Sequence, residues 1–175
     1  MKFTNKITLI VAFNCLNLFG QEIVPNLNDL SFKHLSSDDG LSQRSITDIL
    51  QDKKGYLWFG TRDGLNKYNG DKITIYRHHS EDTTSITHSW IRCLYQDSKN
   101  NIWIGTKDGL NKYNPIKDNF IKYKHNGLLK GEKGNEIWDI AELNYSLLVV
   151  ATDKGLNFIN LKSKPNVIKS VMKLP

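Results

Sequence analysis

The side chains with metal-binding chemistry are concentrated in one short segment, His78-His79 followed by Glu81-Asp82. Neighbouring residues of a strand point to opposite faces of a sheet, so the two imidazoles cannot reach one ion unless the backbone kinks between them. The sequence contains no phosphate-binding loop, and no Ser-His-Asp or Cys-His arrangement has a supporting motif. We therefore predict no metal site, no cofactor site and no catalytic residue in this chain.

Two carboxylates and two tryptophans recur at equivalent positions and are candidates for catalysis or ligand binding. Asp52 and Asp97 are candidates for an acid–base pair, but equivalent surroundings would give them the same pKa, whereas catalysis needs carboxyl groups with different pKa values. Trp58 and Trp103 are candidates for a carbohydrate-stacking platform. The interpretation we favour places both indoles in the core between neighbouring sheets, because a large ring fills such a space.

Ligand binding by cations and an aromatic ring is predicted for five residues that vary where the surrounding sequence repeats. These residues are Arg44, Arg62, His88, Trp90 and Lys107. Guanidinium and ammonium groups donate strong directed hydrogen bonds, and an indole face packs against C–H-rich surfaces, so the set suits an acidic or hydroxyl-rich ligand. Ordinary solvated loop residues are the alternative for each of them. The prediction requires a fold that brings their loops to one place.

The elements that must position these residues form an internal repeat with a period of 45. Ten of twelve residues in the segment 58–69 are identical to their counterparts in 103–114. A third, degraded copy follows at an offset of 46, in which Val149 replaces the tryptophan and Ala151 replaces a glycine. Each repeat divides into four short runs of aromatic and β-branched residues that are separated by turns such as Asp63-Gly64. Asp63 is interpreted as a turn residue whose side chain bonds its own backbone.

Four antiparallel strands every 45 residues are typical of a β-propeller blade. We predict an all-β fold with about three four-stranded blades, at residues 46–76, 91–123 and 137–170, within a larger, seven-bladed ring. Residues 30–35 are predicted to be an outer strand of the closing blade. The loop before the first strand and the turn between the second and third strands emerge at the same end of a blade. The five candidate residues are therefore expected to share one rim of the propeller.

The pattern I-x-x-I-L-Q-D-x-x-G-x-L-W-F-G-T-x-D-G-L at residues 46–65 resembles the two-component regulator propeller repeat. The second copy, at residues 91–110, departs from it mainly at Asn100, where the first copy has Gly55. The resemblance covers roughly residues 30–160. It implies a periplasmic sensor region of a hybrid two-component histidine kinase, with glycan fragments or another small extracellular ligand as the class of ligand. The remaining blades and the kinase part of the parent protein are the implied partners.

These 175 residues contain no kinase core, so we predict a ligand-sensing segment without catalysis. A secreted propeller that serves as a protein-interaction scaffold is the first alternative, and a propeller lyase or glycosidase is the second. Charges of both signs alternate along the chain, and no basic block of five residues occurs, so nucleic-acid binding is not expected.

The first twenty residues are predicted to be a secretory signal peptide that leaves 21–175 as a partial propeller. Lys2 and Lys6 precede a short apolar run, and Gly20 closes it. Removal of this segment would leave 22 basic and 18 acidic residues, a net charge of +4. We expect a periplasmic location and no membrane contact after cleavage. Cys93 would then be the one remaining cysteine, and its apolar strand predicts a buried, inert thiol.

Overall fold

The computed structural model describes residues 33–123, 136–162 and 169–170. The chain divides into a unit of residues 1–34 and a unit of residues 35–175, and the following description concerns the second. The predicted signal peptide at 1–20 lies outside the described residues. So does the larger part of the predicted outer strand at 30–35, and the described residues 33–35 of that segment are not in a strand. No helix among the described residues has the length and apolar character needed to span a bilayer.

Nearly all regular structure in the described residues is β-strand, arranged in three antiparallel four-stranded sheets, which confirms the predicted all-β propeller class. The first sheet contains β1 (Ile46–Gln51), β2 (Leu57–Thr61), β3 (Gly64–Tyr68) and β4 (Ile73–Tyr76). The second contains β5 (Ile91–Gln96), β6 (Ile102–Thr106), β7 (Gly109–Asn114) and β8 (Asn119–Tyr123). The third contains β9 (Ile137–Asn144), β10 (Leu147–Thr152), β11 (Gly155–Asn160) and β12 (Lys169–Ser170). Sequential strands are neighbours in every sheet, so each repeat is one blade.

Turns of the same kind recur in the blades because each has a residue that can adopt the positive φ angle the turn requires. The turn between the second and third strands ends at Gly64, Gly109 or Gly155, and each of these glycines has a positive φ that L side chains rarely adopt. Asn100 has a φ of 64° where the first blade has Gly55 at 87°. Asparagine tolerates this left-handed conformation, so the departure from the repeat pattern preserves the turn.

One prediction about the turns is wrong in its detail. The hydroxyl of Thr61 accepts a hydrogen bond from the backbone N–H of Asp63 at 3.0 Å and donates to the carbonyl of Gly64 at 2.9 Å. The Asp63 side chain instead forms an ion pair with Arg77 at 2.9 Å. Because threonine already supplies the local acceptor, the carboxylate is available to bind the guanidinium.

The first strands of the three blades, β1, β5 and β9, lie side by side and are called the inner strands below. Each carries a β-bulge near its start, and the extra residue is Thr47, Arg92 or Trp138. A bulge redirects the side chain of the extra residue out of the regular alternation. The Thr47 hydroxyl donates to the carbonyl of Ile91 in the second blade at 2.9 Å, so the bulged residue contacts the neighbouring blade.

The apolar core lies between the blades. Trp58 and Trp103 are 0% and 1% exposed, which confirms their predicted place in the core. Trp58 belongs to a cluster formed by the first and second blades, and Trp103 belongs to a cluster formed by the second and third. Their indole N–H groups donate to Asp52 at 2.9 Å and to Asp97 at 2.8 Å. The two carboxylates therefore satisfy buried indole donors that would otherwise destabilise the fold.

Candidate functional site

The loop before each inner strand is called the leading loop, and in the first and second blades it is attached to its blade by a buried polar network. In the second blade the side-chain oxygen of Asn111 accepts from the backbone N–H of Thr87 at 3.0 Å, and its amide donates to the Thr87 hydroxyl at 2.9 Å. The Thr87 hydroxyl also contacts that of Thr106 at 2.8 Å. Ser42, Thr61 and Asn66 form the same network in the first blade. The network holds the residues that follow Thr87, including His88 and Trp90, at a defined position.

The leading loop and the turn between the second and third strands meet at one end of the blade. The backbone N–H of Lys107 donates to the carbonyl of Trp90 at 3.0 Å, and that of Asp153 donates to the carbonyl of Glu136 at 3.3 Å. In the first blade the N–H of Arg62 donates to the side chain of Gln43 at 3.1 Å. These hydrogen bonds join the two loop types, as the antiparallel topology predicts.

Trp90 is the centre of an aromatic–cation cluster. The Cζ atoms of Arg62 and Arg92 lie 4.8 Å and 4.0 Å from its ring centroid, and the Nζ atom of Lys107 lies 4.8 Å away. These distances allow attraction between each cation and the electron-rich ring face. We use the name Trp90 cluster for Trp90, these three cations and Glu136.

Arg92 is the most enclosed cation of the Trp90 cluster. It forms an ion pair with Glu136 of the third blade, and both side chains are about four-fifths buried, with 21% and 19% exposed. Its guanidinium also lies 4.6 Å from the ring centroid of Trp138, between two indoles. Arg92 therefore links the second and third blades, and its charge is already balanced by a carboxylate.

Arg62 and Lys107 differ from Arg92 because both are exposed and neither forms an ion pair with another described residue. The indole N–H of Trp90 and the Nε of Arg92 are buried and have no hydrogen-bond partner among the described residues. The Trp90 cluster thus carries excess positive charge on its exposed side, while the two buried donors lie out of reach of a bound molecule. Such a site attracts an anionic or hydrogen-bond-accepting group.

His88 lies beside the Trp90 cluster and has a structural task. Its Nδ1 accepts a hydrogen bond from the backbone N–H of Trp90 at 2.9 Å, which requires that nitrogen to be unprotonated. Burial lowers the pKa of His88, and Lys107 lowers it further, while Asp108 and Glu136 act in the opposite direction. His88 is therefore neutral near pH 7, and its hydrogen bond fixes the backbone position of Trp90.

Of the five predicted rim residues, the structure brings Arg62 and Lys107 onto the ring of Trp90 and places His88 beside it. Arg44 is exposed and has no hydrogen bond, ion pair or ring contact to another residue in the described part of the chain. The indole of Trp90, which was predicted to pack against a ligand, has cations from three segments close to its ring. The more open indole belongs to Trp138, which is 50% exposed.

Sequence reasoning missed Arg92, Glu136 and Trp138. One sequence feature could have indicated two of them. The first isoleucine of the repeat is the same in all three copies, but the residue after it varies and is Thr47, Arg92 or Trp138. The repeat pattern alone indicates a regular strand at that position and not a rim. Only the bulge, which the pattern does not reveal, turns the side chain toward the next blade.

The remaining candidate groups have structural roles. Asp97 accepts from the backbone N–H groups of Lys99 and Asn101 as well as from Trp103, and Asp52 does the same for its own turn. Cys93 is buried, and burial is the main cause that raises the pKa of its thiol to about 12, in agreement with the predicted inert cysteine.

The sequence matches the family model described as Two component regulator propeller at residues 40–63 and 85–108. Histidine kinase P4 of Formosa agariphila is 46% identical over 79 residues, which are 45% of this chain and 5% of that protein. The chain therefore spans a small fraction of that relative.

Solved structures with the same fold come from B. thetaiotaomicron. One is described as the extracellular domain of a hybrid two component system, BT4673, with 23% identity and a TM-score of 0.58 over 71% of this chain and 18% of that chain. Another, from the system BT3049, has 22% identity and a TM-score of 0.51 over 81% of this chain and 26% of that chain. The matched segments coincide with the leading loops and the first two strands of the first and second blades. Two segments of the chain, one in each of the first two blades, thus match the two component regulator propeller repeat.

Proposed function

We propose that this chain is part of an extracytoplasmic sensor propeller of a two-component histidine kinase, and that the Trp90 cluster is a place where its ligand binds. The observation that carries the proposal is the pair of exposed cations, Arg62 and Lys107, on the indole of Trp90 with no ion-pair partner among the described residues. The relatives named above, a histidine kinase and extracellular domains of hybrid systems, support the sensor context.

The chemistry of the Trp90 cluster favours a ligand that carries a carboxylate, a sulfate or closely spaced hydroxyl groups. Arg62 and Lys107 come from two different blades, and each lies 4.8 Å from the ring centroid of Trp90, so an anionic group at the rim of this ring meets positive charge from both blades. Charge-assisted hydrogen bonds to such a group are about twice as strong as neutral ones. Together with the glycan fragments that the family resemblance implies, this favours an acidic oligosaccharide over a neutral one.

A periplasmic location after removal of residues 1–20 belongs to the same proposal. Its support is the charged and then apolar start of the sequence and the description of the structural neighbours as extracellular domains. The proposal assigns no catalytic step to the described residues, because Asp52 and Asp97 are engaged with tryptophan and turn N–H groups.

The experiment is titration calorimetry of the purified protein with a uronate-containing oligosaccharide and with its neutral counterpart. We expect the acidic probe to bind and the Arg62→Ala and Lys107→Ala variants to lose at least about tenfold in affinity each, as loss of a charge-assisted hydrogen bond implies. Lys54→Ala is the matched control, because Lys54 is an exposed lysine in the β1–β2 turn at the opposite end of the first blade. Equal binding of both probes, or equal losses in Lys54→Ala, would refute the site.

The stability of the same variants separates binding from folding. Arg62 is exposed, so Arg62→Ala should change the free energy of unfolding by less than about 1 kcal/mol. If this variant unfolds the protein, Arg62 is structural and the assignment should be dropped.

A further inference from the structure

We propose that the open face of the third blade docks a propeller blade whose inner strand begins with a residue that lacks a β-branch, and that Ala151 excludes a second copy of this chain from that face. The open face is the side of the third sheet that carries Asp139, Val149, Ala151 and Leu156. Leu65 and Leu110 occupy the position of Leu156 in the first two blades and are fully buried, whereas Leu156 is 43% exposed.

The equivalent faces of the first and second blades show what covers such a surface. The inner strand of the following blade begins with an isoleucine, Ile91 or Ile137, that lies against a glycine of the preceding blade. A Cβ atom on Gly60 would lie 2.9 Å from the Cγ2 of Ile91, and one on Gly105 would lie 2.7 Å from the Cγ2 of Ile137. Both boundaries therefore depend on the absence of a side chain at this position of the repeat.

The third blade has the side chain that the other two exclude. Ala151 pairs with Asp139 in the register in which Gly60 pairs with Asp48 and Gly105 with Cys93, so the three positions are structurally equivalent. Its methyl group occupies the space that the Cγ2 of isoleucine fills at the other two boundaries. A blade that begins with Ile, Val or Thr cannot approach to the same distance. The Cβ atoms of Ile91 and Ile137 would lie 3.2 Å and 3.0 Å from such a methyl carbon, so a blade that begins with Ala or Ser loses the shorter Cγ2 contact and has to give way by only a few tenths of an ångström.

A second copy of this chain offers the wrong residue. The first blade exposes the opposite kind of face, on which Ile46 and Ile49 are 36% and 60% exposed, while their equivalents Ile91 and Leu94 are buried by the preceding blade. Without the methyl group of Ala151, copies could stack head to tail, because this face and the open face both present apolar side chains. The β-branched Ile46 would meet the methyl group of Ala151. This is specificity by steric exclusion of a competing partner.

Asp139 supplies a positive recognition element on the open face. At the first boundary its equivalent, Asp48, accepts a hydrogen bond from the backbone N–H of Leu94 at 2.6 Å. Leu94 is the fourth residue of the inner strand of the following blade. Asp139 is exposed, and in the described residues its side chain accepts only from the neighbouring N–H of Ile140. A docked blade would therefore present the N–H of its own fourth inner-strand residue to Asp139.

The test is sedimentation equilibrium of the purified chain and its variants, with a second copy of the chain as the probe. Ala151→Gly should strengthen head-to-tail association by about tenfold or more, since it removes the overpacking at the boundary. Ile46→Ala supplies an inner strand that begins without a β-branch, so it should strengthen association in the wild-type background. In the Ala151→Gly background the same change should weaken association, because it then removes only apolar contact.

Ala141→Gly is the matched control. Ala141 pairs with Val149 on the same face but does not replace a glycine of the repeat, so this variant should not associate more strongly than wild type. Circular dichroism of every variant verifies that the sheets are intact. Equal association of wild type and Ala151→Gly, weakening by Ile46→Ala in both backgrounds, or no association of any variant at the highest soluble concentration would each overturn the proposal.

Discussion

The two boundaries between neighbouring blades are built from the same repeat but differ in chemistry. At the first, the bulged residue Thr47 donates a neutral hydrogen bond to a backbone carbonyl of the next blade. At the second, the bulged residue Arg92 forms an ion pair with Glu136 and lies between two indoles. The residues that are the same in both repeats build each blade and the apolar core between blades, while the bulged residue differs and gives each boundary its own polar contact.

The apolar parts of the two boundaries differ as well. The first contains a group of rings in which the hydroxyls of Tyr76 and Tyr113 both bond Asp118, at 2.7 Å and 2.5 Å. The second has Trp103 against Tyr123 and the aliphatic side chains of the third blade. The first boundary is therefore anchored by polar groups within its aromatic cluster, and the second depends more on close packing.

The largest effect is expected from loss of either core tryptophan. Trp58→Ala or Trp103→Ala should lower the free energy of unfolding by about 3–5 kcal/mol, because each removes a fully buried ring and leaves a cavity. Urea denaturation followed by tryptophan fluorescence and circular dichroism measures the change. Trp138→Ala is the contrasting variant: Trp138 is half exposed, and a loss as large as those of the core variants would contradict the distinction between core and rim.

A smaller loss is expected when a methyl group is added at a boundary glycine. Gly105→Ala would bring the new Cβ to 2.7 Å from Ile137 and into the sulfur of Cys93, so we expect a loss of about 1–3 kcal/mol. Gly60→Ala tests the same contact at the first boundary, where the new Cβ would lie 2.9 Å from the Cγ2 of Ile91 and 2.8 Å from the hydroxyl of Thr47 in its own blade. Thermal melting of both variants compares the boundaries. No loss in either variant would show that the neighbouring side chains move aside without cost, and that the close approach at the boundary is not required.

The ion pair at the second boundary should contribute less than the core. Arg92→Ala leaves the partly buried Glu136 without its partner, and a loss of about 1–2 kcal/mol is expected after allowance for solvent screening. A double-mutant cycle with Glu136→Gln isolates the interaction between the two side chains. Thr47→Ala at the first boundary should cost about 1 kcal/mol. Additive losses in the cycle would mean that the ion pair does not link the blades.

The smallest effect concerns pH. His88 occupies the position of Gln43 in the first blade, and its pKa is lowered mainly by burial. A lowered pKa in the folded state means that neutral His88 stabilises the fold above its unfolded pKa of about 6.5 and that this contribution is lost as the pH falls. The difference in unfolding free energy between wild type and His88→Gln should therefore stay constant above about pH 7. Between about pH 6.5 and 5 the unfolding free energy of wild type should fall more steeply than that of His88→Gln. Parallel pH profiles in chemical denaturation would contradict this.

Much of the fold was predictable because the repeat is itself physical information. Twelve residues that recur with ten identities report the same turns, the same strand pairing and the same core position of the indole. Trp58 and Trp103, Cys93 and the common rim of Arg62, Trp90 and Lys107 followed from these patterns. Residues 1–32 lie outside the described part of the chain, so the export signal remains a prediction.

The sequence by itself determined the blades, because strand alternation, turn glycines and the period of 45 residues are local properties that a linear pattern records. Tertiary structure alone decided which charged side chains meet between blades, whereas the repeat already indicated the place of the two core tryptophans. Arg92 reaches Glu136, and three cations share Trp90, because a bulge redirects one residue and because segments about 45 residues apart come into contact. The effect of the methyl group of Ala151 is of the same kind. This effect can be inferred only when the distance between the glycine position of one blade and the first isoleucine of the next inner strand is known. That distance depends on how two blades pack and is not recorded in either repeat.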